Sequence, residues 1–211
     1  MTREAAELGC ASVCLNPCFL GPAVRRLRDA EVDPERAPTV ACTVVAFPLG
    51  ASAGHTKSVE ATTAVKAGAA EIDFVAHLPH LLACDLKAAT DDFLAVTLPA
   101  REVSGDVIVK VIIESAALMS LGDPDAAEAE RRIATACHAA AEAGCDFVKT
   151  STGFHPAGGA STTAVRLMRK HATNLKVKAS GGIRTRADAD AMREAGADRL
   201  GCSATLAILG L

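Results

Sequence analysis

Seven short apolar runs punctuate the chain, and between them small or apolar residues return every three or four positions. The runs fall at residues 12–16 (SVCLN), 43–47 (TVVAF), 71–75 (EIDFV), 107–113 (VIVKVII), 146–150 (DFVKT), 175–179 (LKVKA) and 198–201 (DRLG). Their length and β-branched content predict strands, and the periodic stretches at 56–68, 85–98, 124–143, 160–171 and 185–195 predict helices. Four joints share one grammar: AAELGCASVC (5–14), AVKAGAAEID (64–73), AAEAGCDFVK (140–149) and AMREAGADRL (191–200). Each has an alanine-rich helix end, a glycine that can take the left-handed stop, and then an apolar strand.

Strand and helix alternate at a spacing of about 30 residues, which predicts parallel strands with right-handed helical crossovers. Most strands run out into polar or glycine-bearing turns at their C-terminal ends: LNP, FPLGAS, ESA, KTSTG, KASGG and GCS. Chemistry-bearing residues at many strand ends favour a closed (β/α)8 TIM barrel over an open doubly wound sheet. The expected fold is therefore an α/β barrel, read as one domain over residues 1–211. Such a barrel has eight strands, so the seven runs leave the first strand to be missing at the N-terminus, as from a truncated product or a misplaced start codon.

Composition narrows the classes. Half of the 211 residues are hydrophobic, 22% are charged, and the formal net charge is -3, a balance without bias toward nucleic acid or anionic membrane. With six Phe and no Tyr or Trp, base-stacking platforms are not expected. Neither a spanning segment nor the apolar heart of a signal peptide is visible, so a cytoplasmic location is expected. The eight cysteines lie mostly in apolar surroundings and read as small core residues in a reducing compartment. Cys10, Cys14 and Cys18 have a C-x3-C-x3-C spacing that matches no familiar metal motif, and no metal is expected.

Two apparent motifs carry nothing. GASAGHTKS (50–58) lacks the glycine–lysine order of a phosphate-binding P-loop, and no G-x-G-x-x-G fingerprint supports a dinucleotide. The six histidines do not form H-E-x-x-H. More telling are the late segments TSTGF (150–154), SGGIRT (180–185) and GCS (201–203), where glycine bares backbone N–H groups near helix starts and so suits a phosphate. The plainer reading of SGGIRT is a tight turn with Thr185 as helix cap.

Lys149 and Lys178 end successive strands, so in a barrel both can enter one mouth. Burial and mutual repulsion would then lower their pKa from about 10.4 toward neutrality, making a nucleophilic amine. Asp73 would add a carboxylate from a third strand for proton transfer. The competing reading is that both lysines snorkel to solvent, as Lys176 looks to do.

At these residues the chain resembles the deoxyribose-phosphate aldolases, class I aldolases that form a lysine Schiff base. SVCLNP, VVAFPLGA, AVKAGAAEIDFV, VKVIIESAAL, AGCDFVKTSTGF, VKASGGIRT and DRLGCSA occur in the family's order over nearly the whole length. The resemblance implies reversible cleavage of 2-deoxy-D-ribose 5-phosphate to acetaldehyde and D-glyceraldehyde 3-phosphate, in deoxyribonucleotide catabolism, with no cofactor. It implies Lys149 as the Schiff-base lysine, Lys178 as the second lysine that tunes it, and Asp73 as the relay carboxylate. It matches Gly153, Gly181, Gly182, Gly201 and Ser203 to phosphate-binding turns, Cys14 and Thr152 to substrate-lining positions, and Lys110 to a lysine near the relay. Expected partners are small phosphorylated sugars and aldehydes, without nucleic acid or membrane, and a homodimer is allowed for. His77 stands where an asparagine is common, and PHLLACDL departs from the usual glycine-containing loop. The missing front strand keeps an alternative open, a truncated and catalytically impaired barrel that only binds phosphorylated sugars.

Overall fold

An apolar run pairs with another only where its backbone N–H and C=O groups meet a neighbouring ladder, and here each run meets the next one in sequence. The computed structural model describes residues 1–30 and 37–211. Its strands are β1 (Ser12–Leu15), β2 (Val40–Val45), β3 (Glu71–Val75), β4 (Ile108–Ile112), β5 (Phe147–Lys149), β6 (Lys176–Ser180) and β7 (Arg199–Gly201). They form one parallel sheet in the order β1 to β7.

Strictly sequential order with one hand of crossover puts the helices on one face and bends the sheet around the other. The bend can be measured by who touches whom. In a flat sheet β3 and β7 would stand about 19 Å apart, four strand spacings. Instead, Arg199 on β7 meets Glu71 on β3 at 2.7 Å. The sheet is curled, a seven-stranded α/β half-barrel among the described residues, with β1 and β7 as its ends.

Alternation along the strands separates two interiors. Ile72 and Phe74, Val109 and Val111, Val148, and Val177 and Ala179 face the helices and are buried there. Against them lie Phe93, Val96, Ile133, Ala136, Ala140, Val165 and Met168 from the helices Leu86–Val103, Ala126–Glu142 and Thr162–His171. The residues between, Glu71, Asp73, Lys110, Lys149 and Lys178, point into the curl and are buried as well.

Strands were expected within a residue or two of where they form, except that β2 starts at Val40, three residues before the expected run. The helices Leu20–Arg28, Leu78–Leu82, Ser115–Ser120 and Thr205–Leu209 lie outside the expected stretches; the first buries Leu20 and Ala23 against the sheet and leaves its three arginines outside. Helix Leu86–Val103 runs on past the anticipated end at 98, with Pro99 inside it. Proline removes the hydrogen bond to the carbonyl four residues back. That carbonyl, Ala95 O, accepts instead from Ser58 Oγ at 2.8 Å, so the neighbouring helix Gly54–Lys66 satisfies it. The cysteines divide: Cys42, Cys137 and Cys145 are buried as expected, whereas Cys14 and Cys18 are exposed.

Candidate active site

Parallel register sets the site. Asp73 stands opposite Lys110, Ile112 opposite Lys149, and Lys149 opposite Lys178 across β3 to β6. Because the sheet curls, the three lysines converge on one carboxylate. Asp73 Oδ2 accepts from Lys149 Nζ and from Lys178 Nζ, each at 2.7 Å. Its Oδ1 accepts from Lys110 Nζ at 2.9 Å and from the Cys42 thiol at 3.3 Å. A carboxylate offers about four lone-pair sites, and here four donors occupy them. Asp73 and Lys110 are sealed from solvent, while Lys149 and Lys178 keep 7% and 4% exposure at the mouth.

Below this group a second ion set braces it. Glu71 bonds Lys110 Nζ at 2.6 Å through one oxygen and Arg199 at 2.7 Å through the other. The Phe147 ring lies among the cations of Lys110, Lys176 and Arg199, at 5.9, 5.7 and 5.0 Å. Its π-face gives these positive charges a further partner.

The protonation picture corrects the sequence reading. Burial pushes Lys149 down as expected, but Asp73 at hydrogen-bond distance, with the cysteine thiols beside it, more than offsets this and leaves its pKa raised. Repulsion between the lysines is screened because Asp73 lies between them. For Asp73, burial opposes charge, yet Lys149, Lys178 and Lys110 together hold its carboxyl well below the usual range. The resting site is thus an Asp73 carboxylate held in hydrogen bonds by the amines of Lys149, Lys178 and Lys110.

The structure brings the glycine segments together. Gly153, Gly181 and Gly182 all have positive φ, at 86°, 89° and 84°. A Cβ on Gly181 would stand 3.5 Å from Gly153 Cα and 3.1 Å from Gly159 Cα, so three backbones close on one another. Gly182 faces open space, and Gly201 has no room for a Cβ, which would meet Lys178 Cε at 3.2 Å. Ser203 is exposed beyond it, just before helix Thr205–Leu209. Thr185 also caps helix Arg186–Glu194 in a reciprocal capping box, so the plain reading of SGGIRT holds alongside any anion role.

Thr152 donates its backbone N–H to Glu114 Oε1 at 2.9 Å. Glu114 was not anticipated: it sits in the left-handed region at φ 48°, and its Oε2 is buried with no partner among the described residues. Gly159 was also missed, although the pair of glycines in AGGA marked a special backbone; a Cβ there would come within 2.3 Å of the Gly181 carbonyl oxygen. Cys14 lies at the mouth opposite Cys42. Lys57, from the P-loop-like stretch, is fully buried and bonds Asp92 at 2.7 Å, which makes it a brace between helices. Cys14, Cys42 and Asp73 hold donor atoms within 4.8 Å of one another, but the three ammonium groups on Asp73 oppose a cation there.

The family model described as DeoC/LacD family aldolase matches residues 1–210. The chain is 46% identical over 210 residues to a deoxyribose-phosphate aldolase of Mycolicibacterium paratuberculosis, covering 99% of this chain and 86% of that one. It is 46% identical over 208 residues to the enzyme of the same name from Caldanaerobacter subterraneus, covering 98% and 82%. The solved structure of deoxyribose phosphate aldolase from Aeropyrum pernix, described as a unique tetramer, superposes with a TM-score of 0.82 at 30% identity, covering 99% of this chain and 80% of that one.

Proposed function

The chain belongs to the DeoC/LacD aldolase family, and on that premise we propose that it cleaves 2-deoxy-D-ribose 5-phosphate reversibly through a Schiff base on Lys149. The observation that carries this reading is the single oxygen of Asp73 shared by Lys149 and Lys178 at 2.7 Å each. Two amines on one acceptor let a proton leave Lys149 without leaving the site, and that frees the nucleophile the reaction requires.

Lys149 Nζ adds to the C1 aldehyde, and loss of water gives an iminium. The C3 hydroxyl gives up its proton to the Asp73–Lys178 pair while the C2–C3 bond breaks. Its electrons pass into the iminium, leaving an enamine on Lys149 and releasing D-glyceraldehyde 3-phosphate. Protonation of the enamine at C2 and hydrolysis release acetaldehyde and restore the amine. Lys110, tied to both Asp73 and Glu71, keeps Asp73 ionised and fixed. Gly153, Gly181, Gly182, Gly201 and Ser203 would receive the phosphate through backbone N–H groups and the serine hydroxyl. With C1 held by Lys149 and phosphate at the other end, the reacting bond is positioned between them. Cys14 and Thr152 line the substrate, and the free Oε2 of Glu114 is an acceptor for one of its hydroxyls.

Residues 1–211 act on this reading as one aldolase barrel domain, in the cytoplasmic breakdown of deoxyribonucleotides. The converging trio gives no support to the alternative of a sugar-phosphate binder without turnover. The test is to incubate the protein with acetaldehyde and borohydride and to map adducts by mass spectrometry. Reductive trapping on the peptide holding Lys149 is expected; a folded sample with no adduct there would end the proposal.

A further inference from the structure

Two thiols meet at the mouth of the site, and the reaction proposed above does not use them as a pair. Cys14 and Cys42 are direct register partners on β1 and β2, so their side chains leave the sheet on the same face. Neighbouring strands run about 4.7–4.9 Å apart, inside the Cα separation of about 4.4–6.8 Å that disulfides span. Both sulfurs are within 4.8 Å of each other and of an Asp73 oxygen. They differ in what they can do. Cys14 is exposed, whereas Cys42 is buried and donates to Asp73 Oδ1 at 3.3 Å.

We infer that Cys14 and Cys42 form a peroxide-sensitive dithiol whose oxidation to a disulfide switches the site off. Cys14 is the attacking thiol: its Cys42 neighbour, and then Lys149 and Lys178, hold it below its ordinary pKa against burial and the Asp73 charge. Cys42 stays protonated, its pKa raised by its place beside Cys14, by burial and by Asp73. The Cys14 thiolate attacks one oxygen of hydrogen peroxide; the O–O bond breaks, and the departing hydroxide takes a proton to become water. Cys42 sulfur then attacks the Cys14 sulfenic acid; the S–O bond breaks, and the hydroxyl leaves as a second water with the Cys42 proton. Two thiols are oxidised by two electrons in all, and the peroxide is reduced to two waters.

The product changes the centre in two ways. Asp73 loses the Cys42 donor on Oδ1, and Lys149 loses the thiol partners that help to hold its proton. The bridged sulfurs also tie β1 to β2 covalently at the substrate mouth. The consequence for turnover rests on the aldolase reading, but the bond itself does not.

The folded chain is exposed to hydrogen peroxide, alkylated with N-ethylmaleimide and digested without reductant. The expected result is a peptide pair joined through Cys14 and Cys42, with turnover lost and then recovered in dithiothreitol. Cys14 as a sulfinic acid with Cys42 still alkylated, a bond from Cys14 to Cys10 or Cys18, or no oxidation of either thiol would overturn the inference. In Cys42→Ala, peroxide should carry Cys14 past the sulfenic stage to a form that dithiothreitol does not reverse; full reversal there would also overturn it. A linked pair in a protein whose reduced form never cleaves substrate would support the dithiol and count against the aldolase reading alone.

Discussion

The two faces of the same strands are built on opposite principles. Outward, Ile72 and Phe74 of β3 pack with Phe93 and Val96 in an apolar layer, beside which the buried Lys57–Asp92 pair braces two helices. Inward, Glu71 and Asp73 of that strand meet four cations, Lys110, Lys149, Lys178 and Arg199. The apolar face gains stability from area removed from water. The charged face gains little, because desolvation consumes much of what each ion pair returns. On the proposed aldolase reading, a fold that keeps such a cluster at its centre, one residue from a well-packed core, holds it for chemistry. Stability and reactivity thus lie on alternate residues of one strand.

That division can be broken from either side. Lys149→Leu should lower kcat by about 10⁴-fold or more, while its thermal midpoint falls only modestly, because Asp73 keeps Lys178 and Lys110 as partners. Steady-state aldol cleavage and a melt read the two effects separately; a large fall in both would show that the inner charges also hold the fold together. Phe93→Ala attacks the other face. Phe93 is fully buried and makes an edge-on contact with Phe74, ring centroids 5.5 Å apart. The loss should be about 3–5 kcal/mol in a denaturant titration, with kcat per folded molecule unchanged.

A finer probe is the lower end of the charged face, where Arg199 bonds Glu71 but no group proposed to react. Arg199→Met keeps an apolar stem but removes the guanidinium from Phe147 and its charge-assisted bond to Glu71, with an expected cost of about 1–3 kcal/mol. Its kcat should stay within about tenfold of wild type, a ΔΔG‡ below about 1.4 kcal/mol. A drop in kcat as deep as that of Lys149→Leu would move Arg199 out of the structural part of the cluster.

The sequence carried the frame of this division because its signals are local. Glycine after an alanine-rich helix end announces each strand, and lysine at the end of an apolar run is conspicuous wherever the fold leads. What it did not carry depends on distance in space. Pro99 reads as a helix stop until Ser58, from another helix, takes up the orphaned carbonyl. The Glu71–Arg199 pair joins residues 128 apart in the chain. Cys42 is hidden in VACTVV as one more small core residue, and only register with Cys14 gives it another meaning. The direction of the Lys149 shift was misread for the same reason: two lysines were visible in sequence, but the carboxylate oxygen between them was not.

The smallest effect expected is also the most informative, because it separates the two things Asp73 does. Its own pKa is depressed in the fold, so its contribution to stability is complete above the unfolded value of about 3.9 and is lost as pH falls through the lower folded value. Lys149 is raised, so its contribution is complete below about 10.4 and is lost as pH climbs through the higher folded value. Between those limits neither group tilts stability, while the rate of Schiff-base formation should climb with pH as the Lys149 proton is shed. Asp73→Asn removes the main charge that raises Lys149 and leaves burial opposed only by the cysteine sulfurs, so the Lys149 pKa falls. Borohydride trapping of acetaldehyde, followed against pH, should then shift its midpoint to lower pH even as full turnover declines for want of the relay. A midpoint that stayed in place would mean that Asp73 does not set the charge on Lys149, and the contrast between the two faces would lose its electrostatic cause.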